Sequence, residues 1–143
     1  MTIATKIRKA TFQHVEAELR DYDLTRREII RMKNELLYGA GLSDDDNVGG
    51  GRSNLPGDPT GRTATLMVTH RKIEQMQRVV DAIEYVIGQL PDDKKKLVQL
   101  KYWTRPQTLT WEGIALRLGV SARHAMRWRD EIISAITEKI GWR

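Results

Sequence analysis

The feature that most constrains this chain is a stretch near its C-terminus, Thr110–Trp128, with the sequence TWEGIALRLGVSARHAMRW. Its spacing predicts two short helices joined by a tight turn at Gly119 and Val120, with the second helix opening at Ser121. Glycine can leave a helix through the left-handed conformation at little cost. A serine hydroxyl can accept a hydrogen bond from an amide of the first helical turn. The stretch therefore predicts a helix-turn-helix, which we assign to residues 110–129.

The same stretch has an apolar side and a basic side. Six residues are expected to form the core shared by its two helices: Ile114, Ala115, Leu118, Val120, Ala125 and Trp128. The interval from Gly113 to Arg129 contains no acidic residue and four arginines: Arg117, Arg123, Arg127 and Arg129. Arginine pairs bidentately with guanine in the major groove and also reaches phosphates. The pattern favours DNA binding over its alternative, a three-helix core with a solvated arginine face.

Positive charge is concentrated in the same part of the chain. The protein has a formal net charge of +5 and an isoelectric point near 9.6. Residues 1–38 carry 8 basic and 6 acidic side chains, residues 39–90 carry 5 and 7, and residues 91–143 carry 11 and 6. A basic excess around a helix-turn-helix is the electrostatic pattern of a nucleic-acid-binding domain. Within this region, Lys94–Lys96 fit a solvated face and a phosphate contact equally well.

Composition excludes several classes of protein. The chain has no cysteine, so it has neither a disulfide framework nor thiolate chemistry, and a reducing cytoplasm is the expected compartment. No apolar run approaches the roughly 18 residues that span a bilayer. The first residues lack the apolar core of a secretory signal. We therefore expect no association with a membrane.

The sequence also lacks the motifs of common catalytic and cofactor sites. It contains no GxSxG elbow, P-loop or HExxH motif, and its three histidines, His14, His70 and His124, have no ligand-like spacing. Asp44–Asp46 lack the spaced ligands of a calcium loop and are interpreted as a solvated acidic patch. We expect no enzymatic activity, no cofactor and no metal site.

The N-terminal part of the chain has the pattern of a helical arm. From about Thr5 to Tyr38, apolar residues recur every three or four positions, which predicts either one long helix or two helices broken near Asp23. The stripe consists of Phe12, Val15, Leu19, Tyr22, Ile29 and Leu36. Residues 39–63 are rich in glycine, proline, serine and aspartate, a composition typical of a flexible linker. The arm is therefore assigned to residues 1–38.

Residues 64–143 are predicted to form a helical domain, so that the whole chain is all-α. A second stripe begins this domain: Leu66, Ile73, Met76, Val80, Ile83, Ile87 and Leu90. Together with the arm it predicts an antiparallel hairpin, or a coiled coil that joins copies of the chain, and the pattern does not separate the two. Pro91 opens the next helix. Farther along, two apolar sets are expected in the core: Trp103, Trp111 and Trp128 as one aromatic cluster, and Ile132, Ile133, Ile136 and Ile140 along the last helix.

In this order, the segments resemble a known group of proteins. The run IGQLPDDKKKLVQLKYW followed by TWEGIALRLGVSARHAMRW resembles the promoter-binding fourth region of bacterial sigma factors. With the arm ATFQHVEAELRDYDLTRREIIRMKNELLYG and the glycine-rich linker, the whole chain resembles the phage RinA/ArpU group of late transcriptional regulators. The resemblance implies an activator of phage or prophage late genes. It would bind double-stranded promoter DNA in the bacterial cytoplasm and act with the host RNA polymerase.

The resemblance also assigns residues to the DNA interface. The groove-facing set would be Ser121, Ala122, Arg123, His124, Met126 and Arg127, with Thr110 and Arg117 near the DNA backbone. Two other functions stay open. One is a phage terminase small subunit, which joins a helix-turn-helix to oligomerising helices and serves DNA packaging. The other is a helical adaptor that mainly binds RNA polymerase or another regulator.

Overall fold

A computed structural model describes residues 6–39 and 59–143, and within these ranges all regular secondary structure is helical. The prediction of an all-α chain is confirmed. The helices are α1 (Lys9–Arg20), α2 (Tyr22–Asn34), α3 (Pro59–Gly88), α4 (Asp92–Tyr102), α5 (Trp111–Leu118) and α6 (Ala122–Ile140), and a π-helical turn (Glu35–Gly39) follows α2.

The N-terminal stripe forms two helices, and the break lies at Asp21, two residues before the position expected from the sequence. Two side chains that follow α4 donate hydrogen bonds to the carbonyl groups at the end of α1. Trp103 Nε1 donates to the Leu19 carbonyl at 2.9 Å, and Arg105 Nη2 donates to the Arg20 carbonyl at 2.8 Å. Because these carbonyls have partners outside the helix, α1 can end without leaving its last acceptors buried and unsatisfied.

Helix α3 begins at Pro59 and therefore includes Pro59–Thr63, the end of the predicted linker over residues 39–63. Proline suits a first helical turn because its missing N–H group would have no partner there. Residues 40–58, including Asp44–Asp46, lie outside the described residues. The stripe along α3 is confirmed at Ile73, Val80 and Ile83, which are buried, but not at its first member, since Leu66 is exposed.

The described residues form two compact units, one from Met1–Tyr22 and Val79–Arg143 and the other from Asp23–Arg78. In the first unit α1 packs against α6 and contributes Val15 and Leu19, both fully buried, to the core. The rest of this core comes from α3, α4, α5 and α6. The packing therefore divides the predicted arm, because its first helix shares a core with the C-terminal helices.

The second unit contains most of α2 and the first part of α3. Ile29 and Met32 of α2 and Ile73 of α3 are its buried apolar side chains among the described residues. Arg31, which donates hydrogen bonds to Glu28, lowers the pKa of that carboxyl, and the charge of Lys72 lowers it further. Among the described residues of this unit, seven large apolar side chains are exposed: Leu24, Ile30, Leu37, Tyr38, Leu66, Met67 and Val68.

Candidate functional site

The turn between α5 and α6 has the geometry that its sequence predicts. Gly119 adopts the left-handed conformation, with φ 76° and ψ 26°. The Val120 amide donates to the carbonyl of Ala115 at 3.1 Å, which closes the end of α5. Ser121 is the N-cap of α6, and its Oγ accepts a hydrogen bond from the His124 amide at 3.0 Å. The predicted glycine turn and serine cap are both confirmed.

Helix α5 begins with a cap of the same kind. Thr110 Oγ1 accepts a hydrogen bond from the Gly113 amide at 3.1 Å, so this side chain fixes the first turn of α5. Thr110, a predicted contact to the DNA backbone, is exposed at this end of the helix. Arg117, the other predicted contact of this kind, is exposed at the opposite end. The two predicted backbone contacts thus lie at opposite ends of one short helix.

Small buried residues allow α5 and α6 to pack closely. Ile114 and Ala115 of α5 and Ala125 of α6 are buried. The other three residues predicted for the shared core, Leu118, Val120 and Trp128, are half-buried. The core prediction is therefore confirmed at its centre, while its outer members border solvent.

The first two turns of α6 present most of the predicted DNA-contacting residues. Ser121, Arg123 and Arg127 are exposed, and Ala122 and Met126 are half-buried. Arg123 and Arg127 are four residues apart, so their side chains leave the same face of the helix. His124 is directed differently, because its ring meets the Trp128 ring edge-on with centroids 4.9 Å apart.

Arg129, the last of the four arginines in this stretch, does not belong to the exposed basic face. Its guanidinium carbon lies 5.2 Å from the ring centroids of both Phe12 and Trp111. Its Nη1 donates to Glu16 Oε2 at 3.3 Å. Arg129 is four residues after the fully buried Ala125, so the helical repeat directs it inward. That spacing was the sequence signal for its true orientation.

Tyr102 of α4, which the sequence places in the core, contacts the same carboxylate, and the sequence did not indicate this contact. Its hydroxyl donates to Glu16 Oε2 at 2.5 Å, and its side chain is 2% exposed. Burial, followed by the neighbouring Glu16 carboxylate, raises the pKa of Tyr102 well above its usual range. Tyr102 therefore stays neutral and remains a hydrogen-bond donor, and Glu16 links α1 to both α4 and α6.

The three consecutive lysines of α4 have different environments. Lys94 Nζ forms an ion pair with Glu131 Oε1 at 3.2 Å and lies 5.8 Å from the centroid of the Trp128 ring. Lys96 Nζ lies 3.5 Å from the carbonyl oxygen of Arg117, in the last turn of α5. A cation is favourable there because the C-terminal end of a helix carries partial negative charge.

The three tryptophans predicted to form one aromatic cluster all pack against the core of the first unit. Each has a partner of a different kind. Trp103 stacks on Tyr22, with centroids 5.3 Å apart, and Trp111 lies beside the Arg129 guanidinium. All three are half-buried, so they support the packing of the helices and do not form an open platform for base stacking.

Within residues 6–39 and 59–143, no group of three or more His, Cys, Asp or Glu side chains is arranged to hold a metal ion. No helix of the described ranges combines the length and apolar character needed to cross a membrane. Exposed cations lie on α5 and the first turns of α6: Arg117, Arg123 and Arg127.

These features define an all-helical protein. Residues 12–138 match the model of a family described as "Protein of unknown function (DUF722)", and the chain belongs to that family. No curated protein and no solved structure matches the chain. Because the family description assigns no activity, the function has to be inferred from the residues and their geometry.

Proposed function

We propose that this protein is a sequence-specific, double-stranded DNA-binding transcriptional regulator. In this proposal α5 and α6 form a helix-turn-helix, and α6 is the recognition helix. The observation that carries it is the pair of exposed arginines, Arg123 and Arg127, on the first two turns of a helix that opens directly after a tight turn. Recognition helices of this class contact base edges with their N-terminal residues.

The charge environment of these arginines supports the proposal. Within the described residues, neither Arg123 nor Arg127 forms an ion pair with a carboxylate, unlike Arg129, which contacts Glu16. An exposed arginine without an acidic partner keeps its donor fork available for guanine or phosphate. The basic residues around the helix pair would also attract a polyanion over a distance.

The way in which α6 is anchored in the core also supports the proposal. Ile132, Ile133 and Ile136 anchor the later turns of α6 in the core, and the Ser121 cap fixes its first turn. Side chains that read bases need a scaffold that holds them in place. Ser121, Ala122 and Met126 then complete the groove-facing surface around the two arginines. Thr110 and Arg117 would contact the backbone, and His124 would orient Trp128.

The biological role follows from the resemblance to late transcriptional regulators of phages. We propose that the chain activates late genes of a phage or prophage in the bacterial cytoplasm. In this role it would act with the host RNA polymerase. It is not proposed to be an enzyme.

A phage terminase small subunit is the second candidate. The seven exposed apolar side chains of the second unit favour it, because proteins of that kind oligomerise through helices outside the helix-turn-helix. Contiguous exposed apolar surface commonly marks a contact between proteins. A ring of eight or more subunits in solution would support packaging over transcription.

Selection from a randomised duplex library tests the proposed function. The full chain is expected to enrich one short motif. In a footprinting experiment on a duplex that carries this motif, the bound protein should protect the motif from cleavage. Recovery of unenriched sequences after several rounds would contradict sequence-specific binding. The location of the motif, upstream of late genes or at a packaging site, then separates the two candidate functions.

A further inference from the structure

Three cations from three segments lie near the end of α1, the Tyr102 ring and the first residue of α5. Lys101 Nζ lies 4.9 Å from the centroid of the Trp111 ring and 6.0 Å from that of Tyr102. The guanidinium carbon of Arg20 lies 5.8 Å from the same Tyr102 ring. Arg105 Nη2 donates to the Arg20 carbonyl at 2.8 Å. The end of α1, the end of α4 and the loop before α5 therefore each contribute a positive charge to this region.

Within the described residues no member of this group forms an ion pair, although the Glu16 carboxylate accepts a hydrogen bond from the hydroxyl of Tyr102, the ring beside Arg20 and Lys101. Arg20 and Arg105 are exposed and Lys101 is half-buried, and their contacts are with ring faces and a backbone carbonyl. Of the acidic residues nearest in sequence, Glu18 pairs with His14, and Asp21 and Glu112 are exposed and form no ion pair with the three cations within the described residues. Cations held in place without counter-charges raise the local positive potential, which favours binding of an anion.

The position of the group relative to α5 indicates which anion it binds. In a helix-turn-helix complex the first helix crosses the sugar–phosphate backbone while the second occupies the groove. Helix α5 has 8 residues, which corresponds to a length of about 12 Å. Arg117 and Lys96 lie at its C-terminal end. The cations near Trp111 lie at its other end, so basic residues flank α5 on both sides.

We infer that Arg20, Lys101 and Arg105 form a phosphate anchor that binds the DNA backbone beside the groove occupied by α6. This inference rests on the proposed function and names contacts that the sequence did not assign. The three side chains belong to the end of α1, the last turn of α4 and the loop before α5, and none of them is part of α6. Contacts of this kind set orientation and affinity but carry no sequence information.

Salt-dependent binding of the full chain tests the anchor. Affinity is measured by fluorescence anisotropy for the selected duplex and for a scrambled duplex, over a series of KCl concentrations. Arg105→Gln and Lys101→Gln are each expected to weaken binding to both duplexes by the same factor. Each should also make the slope of log K against log salt less steep by about 1, because one phosphate contact is lost.

Two sets of controls separate charge from structure. Arg105→Lys and Lys101→Arg keep the charge and should retain the wild-type slope. Lys139→Gln removes an equivalent charge from the last turn of α6, where Nζ lies 4.1 Å from the Tyr85 ring centroid, and should leave the slope unchanged. The thermal unfolding midpoint of each variant establishes that it is folded.

The outcomes distinguish the anchor from the proposed function. If the wild type binds the selected duplex but both glutamine variants keep its slope, the anchor is wrong and the proposed function stands. An equal change in Lys139→Gln would also overturn the anchor, because net charge alone would then explain the effect. If the wild type binds no duplex, the proposed function itself fails.

Discussion

Arg129 of α6 donates a hydrogen bond to the carboxylate of Glu16 in α1, with Nη1 and Oε2 3.3 Å apart, although the residues are 113 positions apart in the sequence. Tyr102 donates to the same carboxylate oxygen at 2.5 Å. The two side chains of the ion pair are only 20% and 17% exposed. One acidic residue near the N-terminus therefore fixes the proposed recognition helix to two other helices.

Glu16→Gln is expected to destabilise the fold by about 2 kcal/mol, because two charge-assisted hydrogen bonds weaken and Arg129 keeps only Asp130 as a charge partner. Urea unfolding followed by circular dichroism measures the change. Glu112→Gln, at an exposed position in the first turn of α5, is the matched control and should stay within about 0.5 kcal/mol of the wild type. Equal midpoints for the two variants would show that the Glu16 contact is not a structural link.

Tyr102→Phe is expected to change how stability depends on alkaline pH. Burial raises the pKa of Tyr102 in the folded chain, whereas an unfolded tyrosine ionises near pH 10. Below that pH the phenol is neutral in both states. Above it, only the unfolded chain loses the proton, so the stabilisation is lost as pH rises, by up to about 1.4 kcal/mol per pH unit.

The measurement is the unfolding free energy of the wild type and of Tyr102→Phe between pH 8 and pH 11. The difference between the two curves isolates the contribution of Tyr102 ionisation from that of other groups. The wild type should lose stability faster than the variant above about pH 10. Tyr85→Phe, at an exposed site, should follow the wild type. Parallel curves for wild type and Tyr102→Phe would contradict the assignment of a neutral, buried phenol.

Leu19→Ala is expected to cost about 2–5 kcal/mol, since it removes a fully buried side chain that α1 inserts into the core of the C-terminal helices. Leu37→Ala, an identical change at a 68% exposed site, should be nearly neutral. Chemical unfolding of both variants gives the comparison. For the same reason, a fragment of residues 64–143 should lack a cooperative transition, and a well-folded fragment would show that α1 is dispensable.

Much of the helix pair could be predicted because its signals are local. Thr110, Gly119 and Ser121 each act on the backbone within a few residues, so their roles can be read from neighbouring positions. The inward position of Arg129 and the grouping of Arg20 with Lys101 depend on how α1 packs against distant helices. Periodicity indicates that α1 has an apolar face but does not identify its partner, so the sequence analysis assigned α1 to a separate arm.

Self-association through the N-terminal helices stays a prediction, and the exposed apolar residues of the second unit offer its most direct test. Ile30 is 54% exposed and Leu37 is 68% exposed, and they lie seven residues apart, Ile30 in α2 and Leu37 in the π-helical turn that follows it. Ile30→Arg combined with Leu37→Arg should convert an oligomer to a monomer in size-exclusion chromatography with light scattering. Glu35→Arg, between them, is the control. A monomeric wild type at high protein concentration would refute self-association through this unit.

The most direct test of DNA recognition is the affinity of Arg123→Ala and Arg127→Ala for the duplex that the wild type selects. Each variant is expected to lose about 1–3 kcal/mol of binding free energy, or about 5- to 150-fold in Kd, if its arginine reads a guanine. The difference in affinity between the selected duplex and a duplex with a substituted base pair should also become smaller. Arg8→Ala, before α1, is the charge-matched control. Wild-type affinity and wild-type discrimination in both variants would contradict the assignment of α6 as the recognition helix.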